Sequence, residues 1–492
     1  MRKRSSGVLM HISSLPGEYG IGDFGKNAYK FVDFIYESGL TYWQILPLGV
    51  TGYGDSPYQS FSAFAGNPYF IDLDEFLDKE LITKEDIEKY PLGEDKTEIN
   101  YSILYKNKLK LLKLASENSK ASYKKEIEDF YEKEKDWLRN YVLFMSIKEK
   151  FNGKAWFKWS EDYKDFNSNQ VKLFEEENKD VLYTHIFIQY FFFKQWENLK
   201  EYANSRGIKI IGDLPIYISE DSSDIWANKD LFKLDRDFRP VTVSGCPPDK
   251  FATLGQLWGN PIYDWEKIEN NNYAWWIKRL EESFKLYDTL RIDHFRGFES
   301  FWEIKNGLED ATVGKWTKGP GIKLFNEIKK TLGELDIIAE DLGFLTKEVT
   351  ELIEETGYPG MNVLQFAFES YGNSVYLPHN NIRNSVVYTG THDNETILGW
   401  FKNLSDEDKS FAVKYLKLDY DEGINWGLIR GAYSSPAYLA VIPMQDFLGL
   451  GNEARMNTPS TLGGNWTWRM KDSTIDTDVI KNILDLNKLY GR

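Results

Sequence analysis

The amino-acid sequence predicts an α/β fold, a (β/α)8 barrel with large, partly helical insertions between its strands. Eight short segments are rich in apolar and β-branched residues and end in polar or charged ones. Segments with helical periodicity follow them along the chain. Acidic residues fall at the ends of several predicted strands, where the loops of such a barrel converge. The same pattern therefore predicts both the architecture and the place of a site.

In chain order, the predicted strands lie at Gly7–His11, Tyr42–Pro47, Ile208–Asp213, Thr289–His294, Asp336–Glu340, Asn362–Phe366, Val386–Thr389 and Tyr438–Pro443. About 160 residues separate the second strand from the third, and about 75 separate the third from the fourth, so the barrel must carry additions. We therefore predict one catalytic barrel over residues 1–492. Only about 50 residues follow the eighth strand, too few for a carboxy-terminal β-sandwich domain.

The first insertion, residues 55–200, follows the second strand and is predicted to be a mainly helical subdomain. Large aromatic residues recur in it at multiples of three or four positions, namely Trp137, Tyr141, Phe144 and Phe151. The second insertion, residues 214–288, follows the third strand and is predicted to be loop and helix. Its part from Ser219 to Trp265 is rich in Asp, Gly, Pro and Trp, and loops of that length are usually functional or mobile.

The composition is that of a globular protein that binds no nucleic acid and no membrane. The hydrophobic fraction is 42%, and no apolar run approaches the roughly 20 residues that span a bilayer. The net charge of −16 repels nucleic acid and anionic membranes. Only Val8, Leu9 and Met10 follow the basic start before His11, too few for a signal peptide. A single cysteine, Cys246, fits a reducing compartment, so a cytoplasmic location is expected.

Aromatic residues are unusually frequent in this chain. They make up 16% of it, with 16 Trp, 30 Tyr and 31 Phe. Sugar rings present C–H faces that stack on aromatic planes, and a neutral sugar is compatible with the negative net charge. Most of these side chains belong in the core, so the composition alone leans toward carbohydrate without establishing it.

Two carboxyl groups at predicted strand ends fit the cleavage of glycosides with retention. That chemistry needs one carboxylate to attack the anomeric carbon and one carboxyl group to protonate the leaving oxygen, roughly 5 to 5.5 Å apart. Asp293 shares a strand face with Arg291, which is expected to lower the pKa of Asp293 and keep it ionised. Glu340 ends an apolar strand, where burial is expected to raise its pKa and keep it protonated. Asp341 is the competing candidate for the acid.

A third acid, Asp393, lies in the segment THDNET that begins at Thr391. His392 and Asp393 can hydrogen-bond sugar hydroxyls, and such bonds strengthen as an oxocarbenium-like transition state forms. No spacing of His and Asp residues indicates a metal site, and the chemistry requires no ion, so neither a metal nor a cofactor is expected. No Gly-rich phosphate-binding motif occurs, so no nucleotide is implied.

Several long segments resemble the amylomaltase, or disproportionating-enzyme, family of 4-alpha-glucanotransferases. They are RIDHFRGF from Arg291, AEDLG from Ala339, THDNET from Thr391, DSPYQSFSAFAGNPYFIDL from Asp55 and GCPPDKFATLGQLWGNPIYDW from Gly245. Recognisable segments run from Ser5 to Trp468, and some are about twenty residues long. The resemblance implies a barrel related to that of alpha-amylases but without their usual carboxy-terminal sandwich.

By this resemblance, Asp293 is the nucleophile, Glu340 the acid/base and Asp393 the transition-state stabiliser. Around the reacting sugar the resemblance places Arg291, Asp213 and His392. It implies further sugar contacts at Ser56, Tyr58, Tyr101, Asp249, Gln256, Trp258 and Asn465. The implied substrates are maltooligosaccharides and alpha-1,4-glucans, with glucose as an acceptor.

Two other functions stay open on the residues alone. An alpha-1,4-glucan hydrolase of the alpha-amylase type uses the same carboxylates with water as the acceptor. A non-catalytic glucan-binding protein would keep the aromatic residues but would not need three acids at strand ends. The transferase function rests on the resemblance, supported by two loops, Cys246–Gly259 and Ser460–Trp466, that resemble covers over a groove and would help to exclude water.

Overall fold

Eight parallel strands form the centre of the protein, whose computed structural model describes residues 2–248, 252–343, 345–369, 373–461, 463–472 and 475–492. The strands of these ranges are β1 (Ser5–Leu9), β2 (Tyr42–Gln44), β3 (Lys209–Leu214), β4 (Thr242–Cys246), β5 (Gln256–Pro261), β6 (Thr289–Ile292), β7 (Ser300–Lys305), β8 (Lys315–Lys318), β9 (Ile337–Ala339), β10 (Gly360–Val363), β11 (Ser385–Tyr388) and β12 (Leu439–Pro443). The order in the central sheet is β10-β11-β12-β1-β2-β3-β6-β9.

The two outer strands of the central sheet, β9 and β10, lie next to each other and nearly close it into a barrel. The Ala339 N–H donates to the Pro359 carbonyl oxygen at 2.9 Å across this seam. The predicted (β/α)8 barrel is therefore confirmed, and each predicted strand overlaps one barrel strand. In the described residues after β12, the regular elements are helical.

Several predicted strands end too far along the chain: the one predicted at Gly7–His11 runs over Ser5–Leu9, and the one predicted at Tyr42–Pro47 ends at Gln44. The strand predicted at Asn362–Phe366 runs over Gly360–Val363, because Leu364–Ala367 turns into a 3-10 helix whose apolar side chains continue the hydrophobic run. The strand predicted at Thr289–His294 ends at Ile292, because His294 adopts a left-handed backbone conformation with φ of 49°. Apolar periodicity marks burial, and burial continues past the last strand residue.

Helices surround the sheet and fill the insertions. The α-helices of the described residues are Lys26–Glu37, Asp74–Asp78, Lys84–Lys89, Tyr101–Ser119, Lys124–Lys150, Glu161–Lys164, Asn169–Glu177, Lys179–Ser205, Ser223–Ala227, Trp265–Asn270, Ala274–Leu286, Ile322–Leu332, Lys347–Thr356, Ile397–Asn403, Asp406–Leu416, Ile424–Ser434, Met444–Phe447 and Thr477–Tyr490. In these ranges no helix combines the length and the apolar character needed to cross a bilayer.

The segment between β2 and β3 is rich in helices and packs on the barrel. The helix Lys124–Lys150 buries Trp137, Tyr141 and Phe144 and lies against the helix Lys179–Ser205. The second helix leads directly into β3, and its Trp196 indole donates a hydrogen bond to the Leu286 carbonyl oxygen at 3.0 Å. Through this helix, the insertion packs on the barrel next to β3 and β6.

A second, antiparallel sheet with the order β5-β4-β7-β8 stands beside the barrel. Its strands β4 and β5 come from the segment predicted as loop and helix, and β7 and β8 come from the residues after β6. The segment 214–288 thus contains strands as well as loop and helix. Its strands surround a polar side chain, Glu303, and pair with a distant part of the chain, so no local apolar pattern reveals them.

Candidate active site

The candidate site lies at the carboxyl ends of four barrel strands. Asp213 is the penultimate residue of β3, and Asp293 follows β6. Glu340 follows β9, and Asp393 lies in the loop after β11. The strands β3, β6 and β9 are neighbours in the sheet and run parallel. Their carboxyl ends therefore meet at one edge, and the first three acids come together there.

A buried arginine connects two of these acids. The Arg291 Nη1 donates to both carboxylate oxygens of Asp213 at 2.7 and 2.6 Å, and its Nη2 donates to Asp293 Oδ1 at 3.1 Å. The Tyr58 hydroxyl donates to Asp213 at 2.6 Å. The Asp213 side chain is completely buried, and these donors compensate its charge. Asp213 thus fixes Arg291 at a position where it also orients Asp293.

The backbone beside Asp293 holds Glu340. The His294 N–H donates to Glu340 Oε2 at 2.7 Å, and the Leu342 N–H donates to Oε1 at 3.1 Å. The left-handed conformation of His294 is uncommon for a residue other than glycine, and such strained residues concentrate at functional sites. Because the same short segment carries Asp293 and binds Glu340, the two carboxyl groups have a fixed relation to each other.

The pKa values of Asp293 and Glu340 are both raised. Burial raises the pKa of Asp293, Arg291 lowers it, and the carboxylates of Asp213, Glu340 and Asp393 raise it again. Burial also raises the pKa of Glu340, against the opposing effects of Arg291 and of two backbone N–H groups. Arg291 lowers the Asp293 pKa as expected, but burial raises it more, so the expectation that this pKa lies below its ordinary value is wrong. The pair retains a proton to a higher pH than two isolated carboxyl groups would.

Asp341, the competing candidate for the acid, forms its hydrogen bond across the seam between β9 and β10. Its Oδ1 accepts the Met361 N–H at 2.7 Å. Its carboxylate fills the space beside Gly360, where a Cβ would lie 2.2 Å from Asp341 Oδ2. Burial raises the pKa of Asp341 to about 7. This carboxyl group links β9 to β10, and Gly360 has to be glycine for it to fit.

Some residues of the segment THDNET stabilise the local chain conformation rather than take part in the chemistry. Asn394 Oδ1 accepts the N–H and the hydroxyl of Thr391 at 2.8 and 2.9 Å, which closes a turn. The Thr396 hydroxyl accepts the Gly399 N–H at 3.2 Å and caps the helix Ile397–Asn403. These bonds hold the two residues between them, His392 and Asp393, at the mouth of the barrel.

His392 and Asp393 differ in their exposure. The His392 ring is buried, and it stacks on the Tyr58 ring with centroids 5.2 Å apart and planes 18° apart. Burial lowers the pKa of His392, so the ring is neutral near pH 7. Its Nε2 lies 3.3 Å from Asp393 Oδ1. The Asp393 side chain is 46% exposed, so its carboxylate is accessible to a bound sugar.

One wall of the site is formed by β5. The Trp258 indole N–H donates to Gln256 Oε1 at 3.1 Å, which fixes the ring. That ring and the His294 ring are nearly perpendicular, with centroids 4.7 Å apart and an angle of 84° between their planes. Trp258 and Gln256 thus lie next to the segment that carries Asp293, and their role as sugar contacts stays a prediction. Asp249 lies outside the described residues.

Three predicted sugar contacts form hydrogen bonds within the protein. The Ser56 hydroxyl oxygen accepts the Tyr58 N–H at 3.3 Å, and the buried Tyr101 hydroxyl donates to the Trp466 carbonyl oxygen at 3.0 Å. Asn465 Oδ1 accepts the Thr458 N–H at 2.9 Å. In this structure these residues position other parts of the site.

Sequence reasoning missed two residues of the site. The Trp466 ring lies 6.0 Å from the Tyr58 ring and 5.8 Å from the His392 ring, between centroids. Asn457 Nδ2 donates to Asp393 Oδ1 at 2.6 Å. Trp466 ends a segment already suspected to cover the groove, so its aromatic ring was a usable signal. Asn457 stands in no pattern that distinguishes it from a turn residue.

Among the described residues, no group of three or more His, Cys, Asp and Glu side chains is arranged to hold a metal ion. The site instead presents paired carboxyl groups, a buried arginine and aromatic rings at the mouth of a (β/α)8 barrel. This arrangement is typical of a carbohydrate-active enzyme.

Comparisons with known proteins agree with this class. A family model described as 4-alpha-glucanotransferase matches residues 10–475. The chain is 53% identical to the 4-alpha-glucanotransferase of Clostridium butyricum over 485 residues, 98% of this chain and 100% of the relative. It is 50% identical to that of Streptococcus pneumoniae over 495 residues, 100% of this chain and 98% of the relative. The chain belongs to the 4-alpha-glucanotransferase family and is an enzyme of this kind.

A solved structure supports the same conclusion. The amylomaltase from Streptococcus agalactiae, solved in complex with acarbose, is 43% identical and has a TM-score of 0.97, with 100% of both chains covered. The amylomaltase from Corynebacterium glutamicum has a TM-score of 0.79 at 17% identity and shows the fold alone. The alternative of a non-catalytic glucan-binding protein is therefore set aside.

Proposed function

We propose that this enzyme transfers alpha-1,4-glucan segments from a maltooligosaccharide to an acceptor sugar such as glucose, by two successive displacements on Asp293. The observation that carries the proposal is the fixed pair of carboxyl groups. Asp293 is 30% exposed and is oriented by Arg291, while Glu340 is bound by the N–H of the residue after Asp293. Two carboxyl groups that retain a proton between them provide a nucleophile and an acid together.

In the first displacement, an Asp293 oxygen attacks the anomeric carbon as the glycosidic bond breaks. Glu340 gives its proton to the leaving oxygen, and the cleaved chain departs with a new hydroxyl group. Because Arg291 donates to Asp293 Oδ1, the other oxygen, Oδ2, is the attacking atom. The product is a glycosyl ester on Asp293, with Glu340 ionised.

In the second displacement, Glu340 removes the proton from an acceptor hydroxyl, whose oxygen attacks the anomeric carbon. The ester bond breaks, Asp293 is regenerated as a carboxylate, and Glu340 is protonated again. Two inversions give net retention. Asp393 accepts hydrogen bonds from hydroxyls of the distorted sugar, which strengthen as positive charge develops on the ring.

Transfer differs from hydrolysis only in the acceptor. The Trp258 ring lies beside His294, next to Asp293, and the Tyr58 ring packs on the buried Trp466, and apolar surface near the carboxyl groups favours a sugar over water as the acceptor. The relatives named 4-alpha-glucanotransferase support transfer as the main reaction. Glucose as an acceptor belongs to the same proposal. A cytoplasmic location also belongs to it, because a single cysteine is compatible with a reducing compartment.

Incubation of the pure protein with maltotriose tests the reaction. We expect glucose together with a ladder of longer maltooligosaccharides, and little net gain in reducing ends, because each transfer breaks one glycosidic bond and forms another. Chromatography of the products and a reducing-end assay measure the two quantities. Reducing ends that rise in step with glucose, without a ladder, would identify a hydrolase.

Trapping tests the two carboxyl roles. The Glu340→Gln variant lacks the proton donor, but a maltosyl fluoride has a leaving group that hardly needs protonation. We expect the sugar to load Asp293 and remain there, visible as added mass on the peptide that contains Asp293. The Asp341→Asn variant is the matched control and should turn over without accumulating the ester. Sugar on Asp341 or Asp393 in the Glu340→Gln variant would overturn the assignment.

A further inference from the structure

The chain segment after β12 holds the Asp393 loop at two points. Asn457 Nδ2 donates to the carboxylate oxygen Asp393 Oδ1 at 2.6 Å, and Arg455 Nη2 donates to the Asp393 carbonyl oxygen at 2.8 Å. Arg455 Nε also donates to the Asn457 carbonyl oxygen at 2.9 Å, and the Asn457 N–H donates to the His392 carbonyl oxygen at 3.1 Å. The side chain and the backbone of Asp393 are therefore both fixed by residues 455–457.

Residues 455–457 also anchor the loop that follows them in the chain. The Thr458 N–H donates to Asn465 Oδ1 at 2.9 Å, and Asn465 Nδ2 donates to the carbonyl and hydroxyl oxygens of Thr461 at 3.2 and 3.1 Å. The Trp466 N–H returns to the Met456 carbonyl oxygen at 2.7 Å. The loop thus starts and ends beside Asn457, and its last residue places an aromatic ring near Tyr58 and His392.

We infer that Asn457 is a positioning residue that orients the Asp393 carboxylate and makes this orientation depend on the 458–466 loop. The inference rests on the proposed role of Asp393 in binding the distorted sugar. It adds to that role a residue that touches no reacting atom and that connects the sugar-binding carboxylate to the rim of the groove.

The pattern of donors around Asp393 gives the physical reason. The amide of Asn457 and the ring of His392 both face Oδ1, which leaves Oδ2 for a sugar hydroxyl. The Asp393 side chain is 46% exposed, so its carboxylate would rotate among several orientations without this hold. A hydrogen bond to an ionised carboxylate is short and strong, and it selects one of these orientations before the sugar binds.

The connection to the loop follows from the chain path. A sugar that contacts Asn465, one of the predicted sugar contacts, restrains the end of the loop, and the Asn465–Thr458 and Trp466–Met456 bonds pass this restraint to the two neighbours of Asn457 in the chain. Asp393 is therefore held best when the loop side of the groove is occupied. Such an arrangement favours reaction when a glucan fills both sides of the site.

Two substitutions at Asn457 separate positioning from simple structural support. Asn457→Ala removes the donor, and we expect kcat for maltotriose disproportionation to fall about 10- to 100-fold at every pH, while KM changes less than about threefold. Asn457→Asp restores a donor only while the new carboxyl group is protonated. Its activity should approach that of the natural enzyme at acidic pH and fall as the pH rises, because two adjacent carboxylates then repel each other.

The control is Asn403→Asp, a matched change on the same side of the barrel. Asn403 Nδ2 donates to Glu395 Oε1 at 2.6 Å, so this substitution alters a similar pair of amide and carboxylate, whose acid lies two residues after Asp393 in the chain. Its pH profile should superimpose on that of the natural enzyme. Circular dichroism and the thermal midpoint of each variant are measured under the assay conditions, and recovery of Asn457→Asp at low pH decides the matter even if Asn457→Ala folds poorly.

Two outcomes overturn the inference: an Asn457→Asp pH profile that equals the natural one, or an Asn457→Ala loss that lies entirely in KM. Asp393→Asn, measured in parallel, separates the inference from its foundation. If Asp393→Asn loses activity and the Asn457 variants behave like the natural enzyme, only the positioning role of Asn457 fails. If Asp393→Asn stays active, the proposed role of Asp393 fails, and the role of Asn457 fails with it.

Discussion

At the scale of single residues, the site depends on how one positive charge is divided. Arg291 has two acidic neighbours, and the fully buried Asp213 takes the shorter bonds. Tyr58 supplies a neutral donor to Asp213. Because this donor already compensates part of the Asp213 charge, Asp213 takes up less of the Arg291 charge, and more of that charge acts on Asp293. A tyrosine that contacts neither Asp293 nor Glu340 thereby influences the ionisation of both.

Tyr58→Phe tests this division of charge. The variant keeps the ring that stacks on His392 and loses only the hydroxyl group. A hydrogen bond to a charged group contributes about 1.5–3 kcal/mol, so we expect kcat/KM to fall about 10-fold or more. The acid limb of the kcat/KM profile should move to higher pH, because Arg291 shifts toward Asp213 and lowers the Asp293 pKa less.

The control for this substitution is Tyr36→Phe, at a position where the side chain is 59% exposed. It should leave rate and pH profile unchanged. A Tyr58→Phe enzyme with natural kcat/KM across the pH range would show that the hydroxyl group has no such influence.

The acidic residues at the strand ends could be predicted from the sequence, because the cleavage of glycosides with retention requires carboxyl groups. Asp293 and Glu340 follow apolar strands, and that position alone predicted where they meet. Asn457 was not readable, because its partner Asp393 is 64 residues earlier in the chain and the amide has no required spacing to it. The direction of the Asp293 pKa shift was predicted wrongly, since the sequence shows that Arg291 is near but not how strongly burial opposes the ionisation of Asp293.

At the scale of elements, the second sheet depends on one buried charge. Glu303 in β7 accepts hydrogen bonds from the hydroxyls of Thr242 in β4 and Thr317 in β8 at 2.7 and 2.6 Å, and from Lys233 Nζ at 3.2 Å. Burial opposes its ionisation, but these donors lower the pKa of Glu303 to about 2. A pKa below the ordinary value stabilises the folded state above about pH 4.5, and this stabilisation is lost as the pH falls toward 2.

Glu303→Gln is expected to loosen this sheet at neutral pH, where the stabilisation from the ionised group is complete. The amide cannot accept at both of its ends, so one threonine hydroxyl loses its acceptor at a cost of about 1–3 kcal/mol. Hydrogen exchange followed by mass spectrometry should show faster exchange in β4 and β8 than in the barrel strands.

Glu281→Gln is the matched change at a surface ion pair, with 49% of the side chain exposed, and should alter exchange little. Equal protection of β4 and β8 in Glu303→Gln and the natural protein would contradict the dependence on this charge. The strand pairing itself was beyond sequence reasoning, because β4 comes from the segment 214–288 and β7 from the residues after β6, and the two meet only in the folded chain.

At the scale of the whole molecule, the first strand and the last helix close the end of the barrel opposite the site. The Arg4 guanidinium donates to the carbonyl oxygens of Tyr433, Ser435 and Tyr490 at 3.0, 2.9 and 3.2 Å. It therefore joins β1 to the ends of two helices, Ile424–Ser434 and Thr477–Tyr490. This junction contributes to stability and is remote from the carboxyl groups that react.

Arg4→Ala is expected to lower the free energy of unfolding by about 2 kcal/mol, because three buried or partly buried carbonyl groups lose a charged donor. Maltotriose disproportionation at 25 °C should stay within about twofold of the natural rate. Urea denaturation measures the first quantity and a product assay the second.

Lys3→Ala, at the exposed neighbour of Arg4, is the control and should change neither the free energy of unfolding nor the rate. A large loss of activity in folded Arg4→Ala would indicate that the two ends of the barrel are coupled.

The pairing of β4 with β7 also sets the order in which the enzyme is completed during its synthesis. Thr242 pairs with Lys305, so the wall that carries Trp258 has to wait for about 60 more residues, or about 3 to 12 seconds at 5–20 residues per second. Asp293 is made within that interval, and Asn457, which holds Asp393, is translated far later. A ribosome-bound chain therefore contains the nucleophile Asp293 long before it contains all the residues that position the sugar beside it. We expect the emerging chain to be inactive toward glucans until Asn457 has been translated.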